Sequence, residues 1–114
     1  MRNMSFYATL EPMRQKTKTV TRRLGWKVLK KGDIVQPCVK CQGLKKGEKI
    51  EKLGGPIKII SVREEPLYKI TKNDVIKEGF PHLTVQEFVD FFCGINKCTP
   101  ETMVTRIQFR YTTD

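Results

Sequence analysis

Residues 18 to 23 read Lys18-Thr19-Val20-Thr21-Arg22-Arg23, an ammonium group, two hydroxyls and two guanidinium groups in one short run. No acidic side chain occurs between Pro12 and Gly32. Two kinds of chemistry suit such a cluster. Clustered cations hold a polyanion, because binding releases its condensed counterions. Neighbouring cations also lower the pKa of a lysine, which can then take the proton of a threonine hydroxyl and make it a nucleophile. Spacing complicates the second use. In a regular strand residues 18 and 21 point to opposite faces, so that pairing needs a turn or bulge, and Thr19 is a second candidate hydroxyl. The plain alternative is a strand of good β-formers with solvated cations.

The rest of the composition bounds these uses. With 114 residues the chain is one domain, 1–114. Its 39% hydrophobic and 30% charged residues are those of a globular protein. The net charge is +10, and eight of the 22 Lys and Arg residues fall in the acid-free stretch. Nucleic acid or another phosphate-bearing partner is expected from that charge, against a basic surface that serves only solubility. The first residues hold no apolar run of signal-peptide length, and nothing approaches a membrane span. A cytoplasmic protein without a membrane partner is expected, with Cys38, Cys41, Cys93 and Cys98 as thiols.

The elements that must position the cluster follow from periodicity and turn signals. Ser5 to Leu10 reads as a short strand entering a helical turn, and Lys18 to Arg23 as a strand. The turn Lys30-Lys31-Gly32-Asp33 launches an apolar run from Ile34 to Val39. Gln42 to Pro56, with four glycines, reads as a long hairpin or loop. Ile57 to Val62 is a strand, and Thr71 caps a short helix to Ile76. Thr84-Val85-Gln86-Glu87 is a capping box, with Val85, Phe88, Val89 and Phe92 at helical spacing behind it. Gly94 is placed to end that helix. Thr105, Ile107, Phe109 and Tyr111 alternate with Arg106, Gln108 and Arg110, which predicts a closing strand with one core face and one basic face. The sum is an α+β domain with a mostly antiparallel sheet.

Set on these elements, the chain resembles the ASCH domains of the PUA-like superfamily. The resemblance rests on Lys18 to Arg23, on Lys31-Gly32-Asp33-Ile34-Val35, on Lys77-Glu78-Gly79-Phe80 before a capped helix, and on the closing strand Val104 to Phe109. It covers nearly the whole chain apart from the loop from Cys41 to Gly55. It implies a PUA-like pseudo-barrel with two or three helices at its side, a basic cleft, and a role in RNA or nucleoside metabolism. Some small bacterial ASCH proteins are amidohydrolases of N4-acetylcytidine that use a lysine, a threonine three residues later and a distant glutamate. The matching positions here are Lys18, Thr21 and Glu78.

On that resemblance Thr21 attacks the acyl carbonyl, Lys18 is its base, and Glu78 orients the amine or shuttles a proton to the leaving nitrogen. Arg23 or backbone N–H groups face the oxyanion. The competing expectation is an RNA-binding module without catalysis, in which Arg22, Arg23, Lys27 and Arg106 meet phosphates and Trp26 stacks on a base. Local sequence reads Glu78 as an exposed turn residue and His82 as an exposed loop residue. Cys38 and Cys41 have the spacing of half a zinc site. The distant and wider pair Cys93 and Cys98 does not complete it convincingly, so no metal or other cofactor is expected.

Overall fold

In the computed structural model, which describes residues 1–41 and 47–112, five strands form one mixed sheet with three α-helices at its side. The strands are β1 (Arg2–Ser5), β2 (Val20–Arg23), β3 (Ile34–Cys38), β4 (Ile57–Pro66) and β5 (Met103–Tyr111); the helices are α1 (Leu10–Arg14), α2 (Lys72–Lys77) and α3 (Val85–Asn96). The strand order is β1-β3-β4-β5-β2. Only β1 with β3 is parallel; the other pairings are antiparallel. The expected α+β class with mostly antiparallel strands holds.

The sheet curls until its two edges face each other. The Arg23 guanidinium, at the end of β2, lies 4.7 Å from the centre of the Phe6 ring, just past β1. Arg2 on β1 lies 5.7 Å over Trp26, just past β2. A register shift between Ile59 and Ser61 helps β4 bend. Met4, Phe6, Val35, Ile57, Ile107 and Phe109 fill the inside of the curl. A second core, with Leu67, Val75, Phe88, Val89, Phe92 and Val104, packs α2 and α3 onto the far ends of β4 and β5. Burial of these side chains is the main stabilising term, because each removes roughly 1.5–3 kcal/mol worth of apolar surface from water.

Local signals are met where they rest on capping chemistry. Thr71 accepts from the Asp74 N–H and starts α2. Thr84 accepts from the Glu87 N–H, while Glu87 accepts from the Thr84 N–H, so the capping box at α3 is complete. Thr84→Ala is expected to lose about 1 kcal/mol, read in a thermal melt as a midpoint about 4 °C lower.

Other expectations need correction. The first strand begins at Arg2, not Ser5, and β4 continues to Pro66. Gly94 does not end α3. The helix runs two residues further, and Lys97 takes the left-handed cap at φ 52°, with the Cys98 N–H bonding the Cys93 carbonyl. Residues 42–46 of the expected loop lie outside the described residues. No helix among the described residues is long and apolar enough to cross a membrane.

Candidate functional site

Lys18 does not belong to a strand. Helix α1 ends at Arg14, Lys16 takes φ 60°, and the N–H groups of Thr17 and Lys18 both turn back to the Pro12 carbonyl. The Thr19 N–H bonds the Lys77 carbonyl, and only at Val20 does β2 begin. The rule that opposes residues 18 and 21 applies within a strand, and here the turn lies before it. Lys18 and Thr21 therefore line the same cleft, of about 230 Å³.

Glu78 reaches that cleft from the end of α2. Gly79, at φ 103°, lets the chain pass so close to α1 that a Cβ would stand 2.9 Å from Pro12. The close approach brings Glu78 against Lys18, whose Nζ donates to Glu78 Oε1 at 2.9 Å and to the Glu78 carbonyl at 2.6 Å. Both residues are 3% exposed. The exposed turn glutamate expected from local sequence is thus a buried ion pair. Burial pushes the Lys18 ammonium below its ordinary value; Glu78 opposes the shift, and Arg23 and Arg22 add to it.

Thr21 is also 3% exposed, and its Oγ accepts from Arg23 Nε at 3.1 Å. The same oxygen keeps its own proton to donate. Burial lowers Arg23 to about 10, and its guanidinium stays over the Phe6 face. Opposite these polar groups stands an aromatic wall. Phe80 lies 5.7 Å from Phe88 and 5.2 Å from Phe91, and Phe88 lies 6.1 Å from Phe92. All four rings line the cleft, with Ile95 and Asn96. A small planar group can sit with one face on phenyl rings and one edge on Thr21, Lys18 and Glu78.

Arg22 and Arg106 occupy a different environment from the one their types suggested. They are register partners on β2 and β5, with Arg63 of β4 the next partner of Arg106. Like charges in adjacent register repel, and three carboxylates counter them. Arg22 bonds Glu65 at 2.8 Å, Asp74 at 2.6 Å and Glu78 at 3.2 Å. Arg106 holds Asp74 through two bonds of 2.7 and 3.1 Å. Arg106, joined by Arg22, holds the Asp74 carboxyl well below the usual carboxylate range despite its burial. Burial would raise Glu65, but hydrogen bonds from Arg22 and Arg63 outweigh it and lower the carboxyl. Arg22 in turn is raised, its carboxylate partners overcoming burial.

Three buried cations (Lys18, Arg22, Arg106), joined at the exposed rim by Arg63, and three anions (Glu65, Asp74, Glu78) thus form one seam between the two cores. The guanidiniums of Arg22 and Arg106 are engaged there and do not face solvent. Arg22 Nε, buried, has no hydrogen-bond partner. The basic face expected on the closing strand is exposed only at Arg110, because Asp74 of α2 covers that face at Arg106. Lys27 is exposed, does not line this cleft, and pairs with Glu64 at 3.7 Å. Trp26 borders an adjoining cleft with Arg23. Asp74 and Glu65 drew no attention in sequence. Asp74 reads there as the third residue of a capped helix turn, and nothing local marks it as the partner of two arginines.

The cysteines separate into two pairs. Cys93 and Cys98 lie with their sulfurs 3.9 Å apart beside the second core, and Cys38 is buried at the end of β3 with Cys41 beyond it. Among the described residues no three His, Cys, Asp or Glu side chains cluster as a metal site would need.

No protein-family model and no curated protein matches the chain. Solved structures do share its fold. The Enterococcus faecalis V583 protein EF3133, described with the family DUF984, is 16% identical at a TM-score of 0.60, over 99% of this chain and 82% of its own. The hypothetical protein PH0355 is 16% identical at a TM-score of 0.62, over 96% of this chain and 94% of its own. At that identity the likeness is one of fold.

Proposed function

We propose that the chain is an ASCH-type, PUA-like amidohydrolase that removes the acyl group from an N4-acylated cytidine. The observation that carries this reading is that Lys18 and Glu78, 60 residues apart, meet in the cleft that also holds Thr21 and a phenyl wall. The phenyl rings suit a pyrimidine face. The alternative of a purely phosphate-binding site is weaker, because Arg22 and Arg106 already have carboxylate partners.

In the reaction, Thr21 Oγ attacks the acyl carbonyl carbon as its proton passes to Lys18 Nζ. The negative charge develops on the carbonyl oxygen, and the Arg23 guanidinium, held beside the point of attack by its hydrogen bond to Thr21 Oγ, stabilises it through its other N–H groups. The C–N4 bond then breaks and the lysine proton goes to the departing nitrogen, leaving the acyl group as a threonine ester. Water, deprotonated by the neutral lysine, hydrolyses the ester and restores the hydroxyl. Glu78 holds Lys18 in place throughout, and Arg22 on its second oxygen keeps the carboxylate from turning away.

Incubation with N4-acetylcytidine is expected to give cytidine and acetate; a purified, folded protein that gives neither would overturn the proposal. The pH dependence tests the base. A lysine acts as a base only when neutral, so kcat/KM rises with pH through the Lys18 pKa. Because burial lowers that pKa, the ascending limb is expected below 10.5, the ordinary lysine value. A rate that falls across pH 7–10, about the range below that value, would remove Lys18 from the role of base.

A further inference from the structure

The cleft with Lys18, Thr21 and Glu78 adjoins a second one. Ser5, Tyr7 and Arg23 line both. Beyond them the second cleft is lined by Asn3, Trp26, Lys40 and Cys41. The two differ in charge. In the first, the cations of the seam are paired with carboxylates. In the second, no carboxylate is among the described residues that line the wall, while Arg23 and Lys40 are. The Arg23 side chain donates to Thr21 and lies over Phe6, with the Glu78 carboxylate acting on it from the first cleft.

Two aromatic side chains flank these cations. Tyr7 is 67% exposed. Trp26 is half-buried against the first core and sits at φ 59°, left-handed backbone that a tryptophan rarely adopts. Such strain at a surface aromatic fits a ring held in place for a ligand. Arg2 lies over the Trp26 ring, from an exposed position. A stacked base is a stronger partner for an indole than an exposed guanidinium, so a base can displace Arg2, whose charge then remains beside the ligand.

We propose that the second cleft is a subsite for the phosphate-linked continuation of a nucleoside seated in the first: Arg23 and Lys40 meet the phosphate, and the neighbouring base stacks on Trp26. The ligand would then be single-stranded RNA or an oligonucleotide, not a free nucleoside alone. The inference rests on the nucleoside reading of the first cleft.

Trp26 is the single tryptophan of the chain, so its fluorescence reports the subsite directly. Titration with a single-stranded cytidine hexaribonucleotide is expected to quench it, while cytidine does not. Affinity should fall with rising salt, and Lys40→Ala should flatten the log–log salt slope by about 0.7, the value of one phosphate contact on a single strand. Trp26→Ala, which has no tryptophan to report, should weaken the hexamer about tenfold or more in calorimetry. Because Trp26 also touches the core, the Lys40→Ala slope is the primary reading. A hexamer that leaves the fluorescence unchanged, or binds Lys40→Ala with the wild-type salt slope, overturns the subsite. Hydrolysis of N4-acetylcytidine without quenching by the hexamer rejects the subsite and leaves the enzyme intact. Quenching without hydrolysis retains the subsite and rejects the enzyme.

Discussion

Asp74→Ala is expected to destabilise the fold by about 3–5 kcal/mol, the range for breaking a buried ion pair from one side. The carboxylate accepts from Arg22 and from both Arg106 donors and is 6% exposed. Its removal leaves two guanidiniums facing each other across β2 and β5, each poorly solvated. Arg22 retains Glu65 and Glu78, whereas Arg106 retains no carboxylate among the described residues. The larger part of the cost therefore falls on Arg106, and Asp74→Ala with Arg106→Met should recover a good share of it. Urea unfolding of the three proteins measures this. A loss below about 1 kcal/mol for Asp74→Ala, the level of an exposed pair, would show that the seam is hydrated and not a structural tie.

Acid gives the same interaction a second reading. Arg106 and Arg22 depress the Asp74 pKa below its ordinary 3.8 in the folded protein. The unfolded chain thus takes up the proton first as pH falls. The stabilisation is complete above about 3.8 and drains away as pH drops toward the folded pKa. The stability gap between wild type and Asp74→Ala should be constant near neutrality and shrink below pH 4, around the ordinary carboxylate value.

What sequence disclosed depended on the range of the interaction. Capping boxes are built from residues three apart, and Thr71, Thr84 and Glu87 do what their spacing indicates. Alternation on β5 was equally plain, but alternation says only that two faces differ. It does not say what covers the second face, and α2 covers it at Arg106. The same gap hid the role of Arg22, whose partners lie 43, 52 and 56 residues away. Glu78 entered through family resemblance alone, since its pairing with Lys18 depends on Gly79 passing against Pro12. Gly94 misled for a related reason: a glycine ends a helix only if the following chain turns there, and the Cys98 N–H makes that turn later, at Lys97. The cation-rich run was visible at once, yet its division was not. Lys18 and Arg22 face carboxylates, while Arg23 alone borders both clefts.

That division makes Thr21 the sharpest test of the proposed chemistry. Thr21→Val keeps the shape of the side chain and removes the hydroxyl, so it is expected to cut kcat on N4-acetylcytidine by at least about 10³-fold, as loss of a nucleophile does elsewhere. The change in stability should be near 1 kcal/mol, because Arg23 Nε loses one hydrogen bond. A large rate effect beside a small stability effect separates chemistry from folding. Thr21→Ser restores a hydroxyl and should recover part of the rate, which a purely structural threonine would not require. Thr19 supplies the control. Its backbone is tied to Lys77 and Phe109, and it is not among the residues lining the cleft, so Thr19→Val should keep kcat within a few-fold of wild type. If Thr19→Val abolished turnover while Thr21→Val did not, the nucleophile would be the other hydroxyl and the Lys18–Thr21 pairing would be wrong. If neither lowered turnover, the amide would be cleaved without a threonine ester, by water directed from Lys18 and Glu78. Trapping a covalent acyl-protein with a slow substrate and fragmenting the acylated peptide to the single residue decides among these, since Thr19 and Thr21 share one short segment and only residue-level placement of the acyl mass tells them apart.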